Sequence, residues 1–243
     1  MKTTSRLFFL FVLVCGLLSG CTVAPPTKDK CECKCPEKPA QVNPPDAKIE
    51  DHFTYLDDKD VPIHLREIAA NWRKLATEQG YNGPVAWRSR EGFSLKQHVP
   101  KVGKVHYSFV ALKGWMLQND EPTKSGTVFW IPKPLKATKA QTVDQQRVIM
   151  AETRKRYGLP QHHLSTFGSA GLLSGLVLAN LKRTTGDFIH KSYSVRTDTL
   201  HDEGCRIYLE LDGGAEALDY GCWKDVGDGD SNFQVFSLGV ELD

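Results

Sequence analysis

The sequence predicts an α+β fold, in which one globular domain combines antiparallel β-hairpins with about three helices. Two patterns predict it: some segments place apolar residues at helical spacing, and others alternate apolar and polar residues with period two. Neither half of the domain contains a sequence repeat or a nucleotide-binding fingerprint. The chain of 243 residues is long enough for one sizeable core.

Residues 1–18 have the layout of a secretory leader. Lys2 and Arg6 form a basic start, and residues 7–18 form an uncharged apolar stretch. These twelve residues are too few to span a bilayer as a helix, which needs about 20. We therefore expect the leader to be cleaved.

The stretch Leu18-Ser19-Gly20-Cys21 resembles the lipobox of bacterial lipoproteins: an aliphatic residue, a small residue, Gly or Ala, then Cys. The resemblance covers only the first 21 residues. It implies removal of residues 1–20 as a signal peptide and a diacylglycerol thioether plus an N-acyl chain (such as palmitate) on Cys21. Two or more acyl chains anchor a protein stably to a membrane. In such lipoproteins, Thr22 after the lipidated Cys favours the outer membrane. The alternative is a plain signal peptide with a Cys near its cleavage site.

The charge of the chain argues against nucleic acid as a partner. Removal of residues 1–20 takes away two basic residues, so the formal net charge falls from +2 to about 0. A near-neutral chain lacks the basic footprint of a nucleic-acid-binding protein. No cofactor is predicted either.

Residues 21–50 are predicted to form a lipid-anchored, Pro-rich tether, and residues 51–243 the globular domain. Six of the thirteen prolines lie in the tether, mixed with Lys, Asp and Glu. Such a segment buries too little apolar area to offset its ordering entropy. As polyproline II it would reach roughly 90 Å, at about 3.1 Å per residue.

Three cysteines, Cys31, Cys33 and Cys35, lie close together in the tether. Thiolates select soft metals such as Cu(I) or Zn, but structural zinc sites typically use Cys-x2–4-Cys pairs. In an oxidising compartment, an odd number of cysteines permits an intermolecular disulfide, and hence a disulfide-linked homo-oligomer. A metal site, an intermolecular bridge and no defined role all remain open.

Residues 65–76 show the clearest helical pattern, with their apolar residues on one face. Pro62 lies near the first turn and Gly80 is a C-terminal stop. Residues 141–157 predict a second helix, capped by Thr142, although the internal apolar run 148–151 leaves a strand as the alternative.

Residues 164–181 are uncharged throughout. Gly171 and Gly175 form a GxxxG pair, which in membrane helices marks a contact face. The stretch is short for a span and contains several polar residues. A buried helix, capped by Ser165 or Thr166, is therefore predicted.

Ser169, in the same stretch, lies in half of a nucleophile-elbow motif. The motif requires Gly two residues before the Ser, and Phe167 occupies that position. The histidines available to such a serine are His162, His163, His190 and His201. A triad needs its members close in space, which spacing alone does not indicate, so no catalytic residue is assigned.

Strands are predicted at residues 85–88, 105–112, 127–131, 188–196 and 234–242, with 115–118 pairing 127–131 in a hairpin. Pro132 and Pro134 are expected to end the second strand of that hairpin. The rest of residues 81–103 is predicted to be a loop region.

Residues 205–223 predict a further hairpin with a definite register. Gly213-Gly214 suits a two-residue turn, so opposing positions should sum to 427. Cys205 and Cys222 then face each other at a non-hydrogen-bonded pair, where Cα atoms are about 4.5 Å apart. Apolar residues of both strands share that face. A structural Cys205–Cys222 disulfide is predicted, because two reactive thiols fit poorly with an exported protein.

The positions of Asp228, Asp230 and Asn232 match the opening of an EF-hand calcium loop. The sixth position of the loop should be Gly and is Phe233, and the twelfth should be Glu and is Gly239. An acidic turn is therefore favoured over a calcium site.

The leading hypothesis is a non-enzymatic binding or structural module, displayed at the bacterial cell envelope, whose ligand is a protein or an envelope polymer. An exposed aromatic patch that includes Trp87, Trp115 or Trp130 would favour binding. The alternative is an envelope-located hydrolase whose catalytic residues are dispersed in the sequence, which a cleft with a Ser or carboxylate beside a His would favour.

Overall fold

The computed structural model describes residues 48–102, 120–184, 193–201, 204–212, 217–223 and 233–243. The helices are α1 (Arg66–Glu78), α2 (Leu95–Val102), α3 (Val143–Arg156) and α4 (Ala170–Arg183). The strands are β1 (Phe53–Leu56), β2 (Ala86–Ser89), β3 (Gly126–Pro134), β4 (Tyr193–Leu200), β5 (Arg206–Asp212), β6 (Ala217–Trp223), β7 (Phe233–Gln234) and β8 (Phe236–Leu242). This mixture within the described residues confirms the α+β class.

The strands form two four-stranded sheets. The first has the order β1-β2-β3-β8 and is antiparallel throughout. The second has the order β6-β5-β4-β7 and is antiparallel except for the parallel pair β4–β7. Only the buried Val235 separates β7 from β8, so the chain passes directly from the second sheet to the first.

Two clusters of buried apolar side chains hold the helices on the sheets. The first joins α4 to one face of each sheet and includes Trp130 and Ile207. The second covers opposite faces and includes Phe129 and Trp223. Phe129 and Trp130 enter different clusters because successive side chains of a strand point to opposite faces.

The helix predicted at residues 65–76 is confirmed as α1. A 3-10 turn at Ile63–Leu65 leads into it, and Gly80 beyond its end has a φ of +73°. Its buried residues are Ala69, Trp72, Leu75 and Ala76. The helical spacing therefore located the face that packs on the first sheet.

The helix predicted at residues 141–157 is confirmed as α3, and the strand alternative for 148–151 is wrong. Thr142 Oγ1 accepts a hydrogen bond from the N–H of Gln145 at 3.3 Å, and Gln145 Oε1 accepts one from the N–H of Thr142 at 2.9 Å. This reciprocal pair is a capping box, which stabilises a helix start.

The buried helix predicted within residues 164–181 is confirmed as α4, although it starts later. Ser169, rather than Ser165 or Thr166, is its N-cap, and its Oγ accepts a hydrogen bond from the N–H of Leu172. A Cβ on Gly175 would overlap the ring of Phe53, so glycine permits the close approach of β1. No helix in the described part of the chain is long and apolar enough to cross a membrane.

The strand predictions are confirmed for residues 85–88 and 127–131, which fall in β2 and β3. The single strand predicted at 234–242 is instead divided between β7 and β8, which belong to different sheets. The strand predicted at 188–196 is observed from Tyr193, and residues 188–192 lie outside the described residues. The segments 105–112 and 115–118 lie outside them too. β3 continues through Pro132 and ends at Pro134, the second of the two prolines predicted to end it. The β3–β8 register shifts between Trp130 and Pro134, where the prolines interrupt regular pairing.

Among the α-helices and strands of the described residues, β1 and α2 were not predicted. The loop assigned to residues 81–103 is wrong at α2, whose first N–H groups are satisfied from a distant part of the chain. The carboxylate of Asp120 accepts hydrogen bonds from the N–H groups of Leu95 and Lys96 at 2.9 and 2.8 Å. Because this cap is 25 residues away, local sequence carries no sign of it.

The hairpin of β5 and β6 exists, but its predicted register is wrong. Asp212 pairs with Ala217 and Ile207 with Cys222, so opposing positions sum to 429 rather than 427. Residues 213–216, not Gly213-Gly214 alone, connect the strands. A shift of two positions leaves every side chain on its predicted face, whereas a shift of one would have reversed it.

Candidate functional site

His163 lies in the segment between α3 and α4 and is fully buried against the first sheet. Its ring packs beside Phe129, with the ring centroids 5.6 Å apart. It also lies over Gly239 of β8, where a Cβ would overlap it. Leu164, the next residue, donates its N–H to the carbonyl of Leu238 at 2.8 Å. The backbone of β8 therefore makes room for this ring and holds its segment in place.

The two ring nitrogens of His163 face different elements. Trp72 of α1 donates its Nε1–H to Nδ1 at 3.0 Å. Nε2 lies 3.0 Å from Oε1 of Glu241 in β8, off the line of a straight hydrogen bond. An indole N–H can only donate, so Nδ1 must accept. The neutral ring consequently carries its proton on Nε2, towards the carboxylate.

Burial lowers the pKa of His163 to about 4. This value includes a smaller lowering of the pKa by the neighbouring His162 and an opposing rise caused by the carboxylate of Glu241. A second proton would also have to enter at Nδ1, where the N–H of Trp72 already points. Desolvation and the Trp72 donor therefore both keep His163 neutral at neutral pH.

Glu241 also holds an exposed histidine. Nε2 of His162 lies 3.0 Å from the same Oε1, and this side chain is 54% exposed. A carboxylate that orients a solvent-facing imidazole is one part of a general-base site. The nearby hydroxyl of Ser165 does not complete it, because its Oγ donates to the carbonyl of His162 at 2.6 Å.

The same residues supply the donor types of a zinc site. One candidate ligand atom from each of His162, His163 and Glu241 lies within 4.8 Å of the others. A metal binds the lone pair of an unprotonated ring nitrogen, but Nε2 of His163 carries the proton of the neutral ring. Ligating histidines usually donate their other N–H to an acceptor, whereas Nδ1 here accepts from Trp72. The geometry therefore favours a histidine brace (Trp72, His163, Glu241 and His162), which contains the Trp72–His163 and His162–Glu241 hydrogen bonds, over a metal centre.

His162 and His163 were candidates in the sequence, but their partners in the brace were not predicted. Trp72 and His163 are 91 residues apart, and Glu241 follows at the end of the chain. The adjacent histidines were the only local signal. Their partners could not be identified before the pairing of β3 with β8 was known.

A second buried polar group lies on the second sheet. Arg196 of β4 is fully buried, and its guanidinium carbon lies 5.0 Å from the ring centroids of both Trp223 and Phe233. Its NH1 donates to Oε1 of Gln146 at 2.6 Å and to the carbonyl of Gln141 at 3.2 Å. This arginine stack (Arg196, Trp223, Phe233 and Gln146) ties α3 to the second sheet.

Ser169 is a helix cap rather than part of a nucleophile site. Its Oγ accepts from the N–H of Leu172 at 3.2 Å. It borders a surface pocket of about 160 Å³ lined by Ser89, Glu121, Pro122, Thr123, Lys124, Val128, Leu172, Val240 and Leu242. That lining contains no histidine, so the pocket does not bring a base to Ser169.

Cys205 and Cys222 lie at disulfide distance, with their Cα atoms 5.9 Å apart. The predicted pairing is thus present, but the two residues are diagonal neighbours rather than directly opposed. Cys205 is buried and Cys222 is exposed. One ring nitrogen of His201 lies within 4.8 Å of both sulfur atoms.

Other predicted site residues lie outside the described residues: Cys21, Cys31, Cys33, Cys35, Asp228, Asp230, Asn232, His190 and Trp115. Trp87 and Trp130 are described, and both are fully buried in the core. They form an edge-on aromatic pair whose ring centroids are 6.0 Å apart. An exposed aromatic patch at these two residues is therefore wrong.

Comparisons with protein-family models, curated proteins and solved structures find no match to this chain.

Proposed function

We propose that this chain is a lipid-anchored bacterial envelope protein whose Pro-rich tether carries a non-enzymatic binding or structural module. The observation that carries the proposal is Leu18-Ser19-Gly20-Cys21 at the end of a secretory leader. Cys21 is the lipidated residue, and Thr22 favours the outer membrane. The module binds a protein or an envelope polymer rather than nucleic acid, since the mature chain is near neutral.

The structure supports a non-enzymatic module through the roles of its polar side chains. Ser169 caps α4, and His163 joins α1 to β8. The guanidinium of Arg196 lies over two aromatic rings. Ser169 stabilises the start of a helix, and the other two residues hold neighbouring elements together, which is what a rigid display module requires.

The tether adds reach and a means of association. Residues 22–50 would separate the domain from the membrane by up to roughly 90 Å. Cys31, Cys33 and Cys35 would link two copies through a disulfide in an oxidising compartment. Dimers that a reducing agent removes would support this link.

The anchor is tested by the intact mass of the membrane-extracted protein and of a Cys21→Ser variant. We expect the wild-type mass to equal residues 21–243 plus acyl chains, and the variant to leave the membrane fraction without them. Cys15→Ser is the matched control, because Cys15 lies in the removed leader and its loss should leave the mature mass unchanged. A wild-type mass without lipid would contradict the proposal.

An envelope hydrolase is the second candidate, favoured by the Glu241–His162 pair. It is tested with p-nitrophenyl acetate as a general ester substrate. A wild-type rate above background that falls in Glu241→Gln, but not in the exposed control Glu121→Gln, would support hydrolysis. A rate at background in all three proteins supports the non-enzymatic module.

A further inference from the structure

The two cysteines of the pair differ in their exposure to solvent. Cys205 is 2% exposed, whereas Cys222 is an exposed residue of β6. β6 is the outermost strand of the second sheet among the described residues. A thiolate arriving from solvent can therefore reach Cys222, while the sulfur of Cys205 is shielded by the protein.

His201 is held beside this pair by the backbone. It directly follows β4, and its N–H donates to the carbonyl of Cys205 at 2.7 Å. One of its ring nitrogens lies within 4.8 Å of both sulfurs. A neighbouring imidazolium stabilises a thiolate, and a stabilised thiolate is a better leaving group in exchange.

We propose that Cys222 is a thiol–disulfide exchange site for an exported dithiol protein, with Cys205 as the leaving group and His201 as a positioning residue. The thiolate of the dithiol attacks Sγ of Cys222, the Cys205–Cys222 bond breaks, and the Cys205 thiolate leaves and takes up a proton. The second thiol of the partner, deprotonated, then attacks the mixed disulfide and releases the Cys222 thiolate. Two electrons pass from the dithiol, which becomes a disulfide, to the cysteine pair.

Reduction has a defined structural consequence. The bond ties the end of β6 to the residue before β5, across strands that are already hydrogen-bonded. Its loss would remove the covalent link at this end of β6, where only the pairing of Cys222 and Trp223 with β5 would then hold the strand. The exchange site thus controls the edge of the second sheet rather than the whole fold.

The partner class rests on the proposed export, but the chemistry at Cys222 does not. The test uses the full mature chain, non-denaturing conditions and reduced glutathione as the probe, and peptide mapping locates the adduct. We expect the transient adduct on Cys222 rather than Cys205 by at least about tenfold, because access decides which sulfur is attacked. This measurement needs no variant, and it can fail while the lipid-anchor measurement succeeds, or the reverse.

Matched variants sharpen the test. Iodoacetamide should modify Cys222 in Cys205→Ser at least about tenfold faster than Cys205 in Cys222→Ser. His201→Ala should slow reduction of the wild-type bond about threefold or more, whereas the exposed control His64→Ala should not. An adduct on Cys205, equal alkylation rates, or reduction that proceeds only at the rate of global unfolding would overturn the proposal.

Discussion

His163 and Arg196 are both fully buried, one against each sheet, but His163 is neutral and Arg196 stays charged. His163 is kept neutral by burial and by the N–H of Trp72. Arg196 cannot lose its charge, because a guanidinium stays protonated in proteins. It is held instead by carbonyl oxygens and by the faces of Trp223 and Phe233.

This difference between a neutral His163 and a charged Arg196 shows which interactions hold the helices on each sheet. Burying an ionised group is costly unless it is paired, so a group that can neutralise does so. The histidine brace therefore depends on pH, and the arginine stack does not. α3 contacts both groups, since Gln146 accepts from Arg196 and Arg154 NH1 donates to the carbonyl of His163 at 3.4 Å.

The largest expected effect comes from Arg196→Met. The variant leaves Oε1 of Gln146 without its donor and removes a cation that lies over two aromatic rings. We expect the free energy of unfolding to fall by about 4 kcal/mol at pH 7. Chemical denaturation followed by circular dichroism measures it.

Arg147→Met is the matched control for the arginine stack. Arg147 lies on α3 one residue after Gln146, and its side chain is 55% exposed. We expect its loss to change stability by less than about 1 kcal/mol. If Arg196→Met also lowered the free energy of unfolding by less than about 1 kcal/mol, the guanidinium would not hold α3 to the second sheet.

The second effect is the acid sensitivity of the histidine brace. The folded-state pKa of His163 is about 4, below the ordinary value near 6.5 that it regains on unfolding. The unfolded chain therefore takes up a proton first. The stabilising contribution is complete above pH 6.5 and is lost as the pH falls towards 4, by about 3 kcal/mol. Denaturant midpoints measured between pH 7.5 and 4 should show this decline.

The His163→Phe variant isolates that decline. It is expected to be less stable than wild type at pH 7.5, because Trp72 loses its acceptor, but to lose less on acidification. The exposed neighbour His162→Gln should keep most of the wild-type acid sensitivity. Parallel pH profiles for wild type and His163→Phe would contradict the assignment to His163.

The elements of this fold were predictable where local periodicity decides them. α1 follows from helical spacing, α3 from the Thr142 cap at its start, and the shared face of Cys205 and Cys222 from strand alternation. Alternation has a period of two, so it could not distinguish the observed register from one shifted by two positions. The register predicted from a Gly213-Gly214 turn differs from the observed register by two positions and is wrong.

The candidate site was less predictable because it depends on distant contacts. Trp72, His163 and Glu241 belong to three separate parts of the chain and meet only once β8 pairs with β3. Trp87 and Trp130 illustrate the converse, since tryptophans considered for a surface patch are core residues. Burial is set by which strands neighbour each other, and sequence patterns did not determine that order.

The smallest expected effect, and the sharpest for the brace, comes from Trp72→Phe. Phenylalanine keeps an aromatic ring beside Phe129, on which Trp72 stacks at 5.9 Å, but it removes the hydrogen-bond donor to Nδ1 of His163. A buried acceptor left unpaired costs about 2 kcal/mol at pH 7.5. Nδ1 is then open to a proton, so the pKa of His163 should rise. The difference in the free energy of unfolding between the variant and wild type should therefore narrow towards pH 4.5.

Trp87→Phe is the matched control, because Trp87 is equally buried and its Nε1 has no hydrogen-bond partner among the described residues. Its effect should not vary with pH. If the Trp72→Phe difference also stays constant from pH 7.5 to 4.5, burial alone keeps His163 neutral and the donor does not set its protonation.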